Sequence, residues 1–166
     1  MLQKAHTMGF YCTQASLEAK KKELEDINKV QLPEVVREIA EAREKGDLSE
    51  NSEYQYGKDK QQLLQKKAQM LAQQINNMHV LSPESIDPST SGYGTVITVR
   101  NVKHAKLETY TLMGPWESDD DKGIINILAP IGKALVGHKK GDHIVFEWAG
   151  SRTSYIVEDI RLADFQ

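Results

Sequence analysis

The stripe Leu64, Ala68, Leu71, Ile75 and Met78 constrains this chain more than any other feature. Its spacings of 4, 3, 4 and 3 place one apolar seam along one side of a helix. A helix with such a seam is stable only when the seam is buried against another element. The sequence just upstream supplies one. Leu17, Leu24 and Ile27 lie 7 and then 3 apart, and Val35, Val36, Ile39 and Ala42 resume the pattern after Pro33. Thr13 or Ser16 is the expected N-cap of this first helix. Pro33 is expected to interrupt or restart it, and Gly46 to stop it. The second helix is expected from about Glu50 to Met78. So short a gap makes the two helices antiparallel, an αα-hairpin reaching on the order of 40 Å with residues 46–51 at its end. Hairpins of this kind are commonly structural or dimerise.

The chain changes character near Ser82. The run Ser82-Pro83-Glu84-Ser85-Ile86-Asp87-Pro88-Ser89-Thr90-Ser91-Gly92 has linker composition. Beyond it the residues turn β-branched and aromatic. Period-2 alternation predicts strands over Thr95–Arg100, Leu107–Met113, Gly123–Leu128, His143–Trp148 and Ser154–Ile160. A short helix is predicted over Pro130–Val136, with Gly137 ending it. The fold class expected is α+β: a coiled-coil hairpin over 10–80, a linker over 81–92, and a small antiparallel β domain with one short helix over 93–166.

Charge narrows the function. Residues 1–81 hold 12 Lys/Arg and 12 Asp/Glu, a balance of zero. Residues 82–166 hold 9 and 12, which accounts for the net −3. Neither half is a basic domain built to grip duplex DNA. No run approaches the roughly 18 apolar residues of a membrane span, and the amino terminus lacks an apolar signal-peptide core. A cytoplasmic protein without membrane association is expected. The single cysteine, Cys12, allows no internal disulfide and no thiolate zinc cluster. The five histidines form no metal site by spacing.

The chemically informative segment is Arg43-Glu44-Lys45-Gly46-Asp47-Leu48-Ser49-Glu50-Asn51-Ser52-Glu53-Tyr54. It has a purely structural explanation. Asp47 serves as N-cap with Glu50 at N3, as in a capping box, or Ser49 caps and Glu50 favours the positive end of the helix dipole. The same spacing also lets Asp47 and Glu50 point the same way off the hairpin tip. Carboxylate oxygens suit Mg²⁺, but two of them leave most of an octahedral shell to waters and other ligands. Such a partial site makes sense if another macromolecule completes it.

Here the residues resemble a known family. The segment from Arg43 to Tyr54 is very similar to the tip signature of the GreA/GreB transcript cleavage factors, roughly A-R-E-x-G-D-L-x-E-N-x-E-Y. Pro33-Glu34-Val35-Val36 and Ile39-Ala40-Glu41-Ala42 also fit. Gly114-Pro115-Trp116-Glu117-Ser118-Asp119 resembles the family's G-x-x-E-A-D segment. Ala129-Pro130-Ile131-Gly132-Lys133-Ala134-Leu135-Val136-Gly137, followed by Lys140-Gly141-Asp142, resembles its S-P-I-G-x-A-L-L-G segment and G-D turn. The resemblance spans about residues 10 to 162.

It implies an FKBP-like C-terminal domain that binds bacterial RNA polymerase, with Pro130, Ile131 and Gly132 as polymerase contacts. It also implies a coiled coil that enters the polymerase secondary channel. Asp47 and Glu50 would then help hold a Mg²⁺ shared with the polymerase, as the residues catalytic for cleavage of backtracked RNA near its 3′ end. Arg43 and Lys58 would contact the nascent RNA, with Asn51 and Tyr54 supporting the tip. Lys58 stands where arginine is common, which keeps the charge but loses the bidentate fork. Gly57 replaces a usual alanine and is expected to weaken the second helix by about 1 kcal/mol. Alone, such a protein is a cofactor of the polymerase, not an enzyme, and acts as a monomer. The competing expectations are a homologue that occupies the channel and inhibits, a peptidyl-prolyl isomerase using Tyr93, Tyr110, Phe146, Trp148 and Tyr155, and a coiled-coil dimerisation module.

Overall fold

The computed structural model describes residues 10–47 and 51–164. The chain divides into two compact units, one spanning Leu17–Met78 and the other joining residues up to Ser16 with the chain from His79 onward.

In the first unit, α1 (Gln14–Asp26) runs through a π-helical stretch (Ile27–Gln31) into α2 (Leu32–Glu44), and α3 (Ser52–Asn77) returns. Thr13 starts α1 by accepting a hydrogen bond from Ser16 N at 3.1 Å. Pro33 does not break the helix. A proline ring clashes with the carbonyl four residues back, and the wider π turn just before it, where Leu32 N bonds to Ile27 O, relieves that clash. The same turn solves a register problem. Ile27 and Val35 lie eight positions apart, one more than a heptad, yet both are fully buried. One residue absorbed in the π turn brings both onto the seam. Ile27, Val35 and Ile39 pack against Leu64 and Leu71, with Leu24, Leu32, Tyr54 and Ala68 at the margin. Each fully buried aliphatic side chain contributes about 1.5–3 kcal/mol. Val36, expected on the seam, is exposed instead.

Gly57 has a use that helix propensity hides. A Cβ placed there would lie 2.8 Å from Ile39 Cγ1. The glycine is buried on the inner face of α3 and lets α2 and α3 approach closely.

The second unit holds a two-stranded ribbon, β1 (Phe10–Cys12) with β2 (Met78–Val80), and a five-stranded sheet. The sheet comprises β3 (Thr95–Asn101), β4 (Leu107–Met113), β5 (Ile124–Asn126), β6 (His143–Trp148) and β7 (Ser151–Leu162), ordered β5-β4-β3-β7-β6. Four of its strands are joined antiparallel, whereas the short edge strand β5 runs parallel to β4. A bulge at Thr98/Val99 shifts the β3–β7 register. Helix α4 (Pro130–Leu135) contributes Leu135 to a core of Ile97, Val99, Leu112, Ile125, Ile144, Tyr155 and Val157. Of the aromatics considered for an isomerase pocket, Tyr110, Phe146 and Tyr155 belong to this core cluster. Tyr93 is buried beside Tyr11, and Trp148 is exposed.

The linker-like run ends inside the second unit. Ser91 is buried, its hydroxyl donates to Leu135 O at 2.6 Å, and it accepts from His138 N at 2.9 Å. Ser/Gly composition is therefore a poor guide to order where a small hydroxyl satisfies buried backbone groups.

Candidate functional site: the hairpin tip

The tip is built by two helix ends. Helix α2 closes at Lys45, whose N–H returns to Ala42 O at 3.2 Å. Gly46 follows at φ +131°, a backbone region that side chains disfavour. Asp47 comes next and is exposed. Glu50, its expected partner, lies outside the described residues, as do Leu48 and Ser49.

The N-cap of α3 is Asn51. Its Oδ1 accepts from Tyr54 N at 3.1 Å, while its Nδ2 donates to Ala42 O at 2.6 Å. The expectation that Asp47 or Ser49 caps this helix is corrected: Asn51 holds the position. Three residues of capping type stand in a row here, and local preference does not rank aspartate, serine and asparagine. Asparagine wins because its amide also reaches the end of α2, a contact made only once the hairpin closes.

Two further contacts brace the tip. Lys45 Nζ bonds Glu53 Oε2 at 2.8 Å, which holds the lysine above its ordinary value, but both side chains are exposed. The Arg43 guanidinium lies 5.6 Å from the Tyr54 ring centroid, within cation–π range. A hydrogen bond from Arg43 draws the Tyr54 phenol below its ordinary value, with the Arg43 and Lys58 charges adding to it. Arg43 is thus held by the tyrosine, and Tyr54 links the tip to the apolar seam.

The lysines of α3 divide. Lys60 pairs with Glu38 at 3.2 Å and Lys67 with Glu23 at 2.9 Å, so both serve the hairpin. Lys58 is exposed, with only a long 3.4 Å contact to Gln61 printed for its ammonium. Beside the tip lies an open groove of about 640 Å³, lined by Glu38, Glu41, Lys45, Glu53, Tyr56 and Lys60 among others.

In the other unit, Pro130 is exposed and Ile131 packs against the core. Gly132 is buried where a Cβ would lie 2.1 Å from Asn126 O, so its identity is set by packing. Among the described residues, no three His, Cys, Asp or Glu side chains gather as a metal would need, and no helix is long and apolar enough to cross a membrane.

Residues 10–80 match a family profile described as "Transcription elongation factor, N-terminal", and residues 87–162 match "Transcription elongation factor, GreA/GreB, C-term". The transcription elongation factor GreA of Treponema pallidum is 36% identical over 156 residues, which cover 94% of this chain and 96% of that protein. GreA of Borreliella burgdorferi is 38% identical over 158 residues, 95% of this chain but 18% of that longer protein. The crystal structure of GreA factor homolog 1 of Thermus thermophilus covers 92% of this chain and 99% of its own, at 21% identity and a TM-score of 0.42. With profiles matched in both halves and relatives aligned along nearly its whole length, the chain belongs to the GreA/GreB family of transcription elongation factors.

Proposed function

We infer that this chain acts on bacterial RNA polymerase as a transcription elongation factor that stimulates cleavage of backtracked RNA. Family membership supports the partner. The observation that carries the mechanism is the exposed Asp47 at the end of a braced helical hairpin, freed from a capping role by Asn51. A carboxylate at such a place offers hard oxygen donors and suits Mg²⁺. Asp47 and Glu50 would hold the ion jointly with groups of the polymerase. Bound there, Mg²⁺ would supply positive charge for attack of water on the RNA backbone.

The remaining roles fall to the chain's own side chains. Arg43, stacked on Tyr54, and the exposed Lys58 present positive charge to the RNA phosphates. The exposed Pro130 and half-buried Ile131 offer a polymerase contact on the C-terminal unit. The chain by itself cleaves nothing, since it brings only part of a metal site.

The test is a backtracked elongation complex. Wild-type chain should speed transcript trimming by purified polymerase. The double change Asp47→Ala, Glu50→Ala should abolish the stimulation while competition for polymerase binding is retained. Trimming no faster with the wild-type chain than without it sinks the reading. Full activity of the double variant returns the tip to a structural role.

A further inference from the structure

We propose that Asn51 is a positioning residue for the tip carboxylate: its amide clamps the end of α2 to the start of α3 and fixes the loop that carries Asp47. The proposal rests on the functional reading above.

Both partners of the amide are helix-end groups with no helical partner of their own kind. Tyr54 N is one of the first N–H groups of α3, and Ala42 O one of the last carbonyls of α2. An asparagine side chain offers a donor and an acceptor on separate atoms of one rigid plane. It serves both ends at once, at 3.1 and 2.6 Å. An aspartate would cap but not donate, and a serine would cap but not reach.

The bond to Ala42 closes a loop between residues nine apart, and Asp47 lies inside it. Closing a loop removes conformers that its side chains would otherwise sample. A shared metal site depends on that restriction, because misplacement of about 1 Å at a reacting centre is costly in rate. The other brace across the gap, Lys45 with Glu53, is an exposed ion pair of the kind that contributes little. Asn51 is half-buried and Ala42 buried, so water competes less for their bond.

Asn51→Ser separates the two roles, since serine is also a good N-cap but is too short to reach Ala42 O. Stimulated cleavage of a backtracked complex would be titrated with Mg²⁺ for the full chain and for the variant. The expected result is an unchanged melting temperature, unchanged competition for polymerase, and a half-saturating Mg²⁺ concentration raised about fivefold, the equilibrium weight of one net hydrogen bond. Wild-type Mg²⁺ dependence in the variant overturns the proposal. So does a lowered melting temperature with unchanged half-saturation, which marks a structural role alone. Asn51→Thr, equally a cap and equally short, supplies the same measurement should the serine variant not fold. Wild-type chain that stimulates no cleavage at any Mg²⁺ concentration, or Asp47→Ala that stimulates as well as wild type, overturns the functional reading and this proposal with it.

Discussion

At the scale of single residues, burial decides chemistry that residue type leaves open. Cys12 is wholly buried, and burial, aided by the Glu117 carboxylate, pushes its thiol from the ordinary 9.0 up to about 11. The neutral thiol is therefore favoured by folding. Its contribution to stability is whole below the ordinary value and drains as pH rises from there through about 11. Native chain at about pH 9 should react with iodoacetamide at least ~100-fold more slowly than chain in denaturant, because the thiolate is the nucleophile. Equal rates, read by mass spectrometry, would show that the thiol is neither buried nor shifted. The raised value also argues against a reactive or sensing role for this cysteine, since such thiols have lowered values.

At the scale of elements, the hairpin shows propensity and packing pulling apart at Gly57. Alanine there gains about 1 kcal/mol of helix propensity. Its Cβ would press on Ile39 Cγ1, which is not the free end of that side chain, so the isoleucine must change rotamer in a packed seam. Overpacking of this kind costs about 1–3 kcal/mol. Gly57→Ala should thus destabilise the chain by roughly 0.5–2 kcal/mol net. A denaturant midpoint that rises would mean that the helices are not held that close. The expectation that glycine merely weakens the helix came from local sequence. What overturns it is a contact with a residue on another helix. The five predicted strands and the short helix were legible for the opposite reason. Alternation and turn residues are local signals, and the observed strands start and end within a few residues of the expected bounds. The tip was only partly legible: Asp47, Arg43 and Tyr54 stood out as a motif, but the stacking of Arg43 on Tyr54 and the choice of cap depend on geometry across the hairpin.

At the scale of the whole molecule, the earliest described residues belong with the C-terminal unit. Thr13 N donates to Glu117 Oε1 at 2.8 Å across a separation of 104 residues, Phe10 meets the Trp116 ring edge-on at 5.7 Å, and Leu81 N bonds Cys12 O at 3.2 Å. Gly114 permits this, since a Cβ there would lie 2.5 Å from Tyr11 O. Glu117→Ala removes the acceptor of a charge-assisted bond and should lower stability by about 1.5–3 kcal/mol. Glu117→Gln keeps the Oε1 acceptor and removes a charge whose second oxygen is buried without a hydrogen-bond partner among the described residues. It should stay within about 1 kcal/mol of wild type. Equal loss in both variants, read from urea midpoints, would show that the charge and not the acceptor matters. The resemblance of residues 114–119 to a family segment gave no hint of this anchoring, because its partners lie near the other end of the chain.

The sequence by itself determined the helical seam, the strands and the tip motif, because helical and strand periods and turn chemistry are written in neighbouring residues. Only the tertiary structure decided which of three capping residues starts α3, why Gly57 is tolerated, how one π turn restores the seam past Pro33, and where residues 10–13 are held. Each of these turns on a contact between residues distant in sequence or on a backbone register that accumulates along a helix. Such contacts are fixed by packing and hydrogen-bond satisfaction of the closed fold, which no window of neighbouring residues encodes.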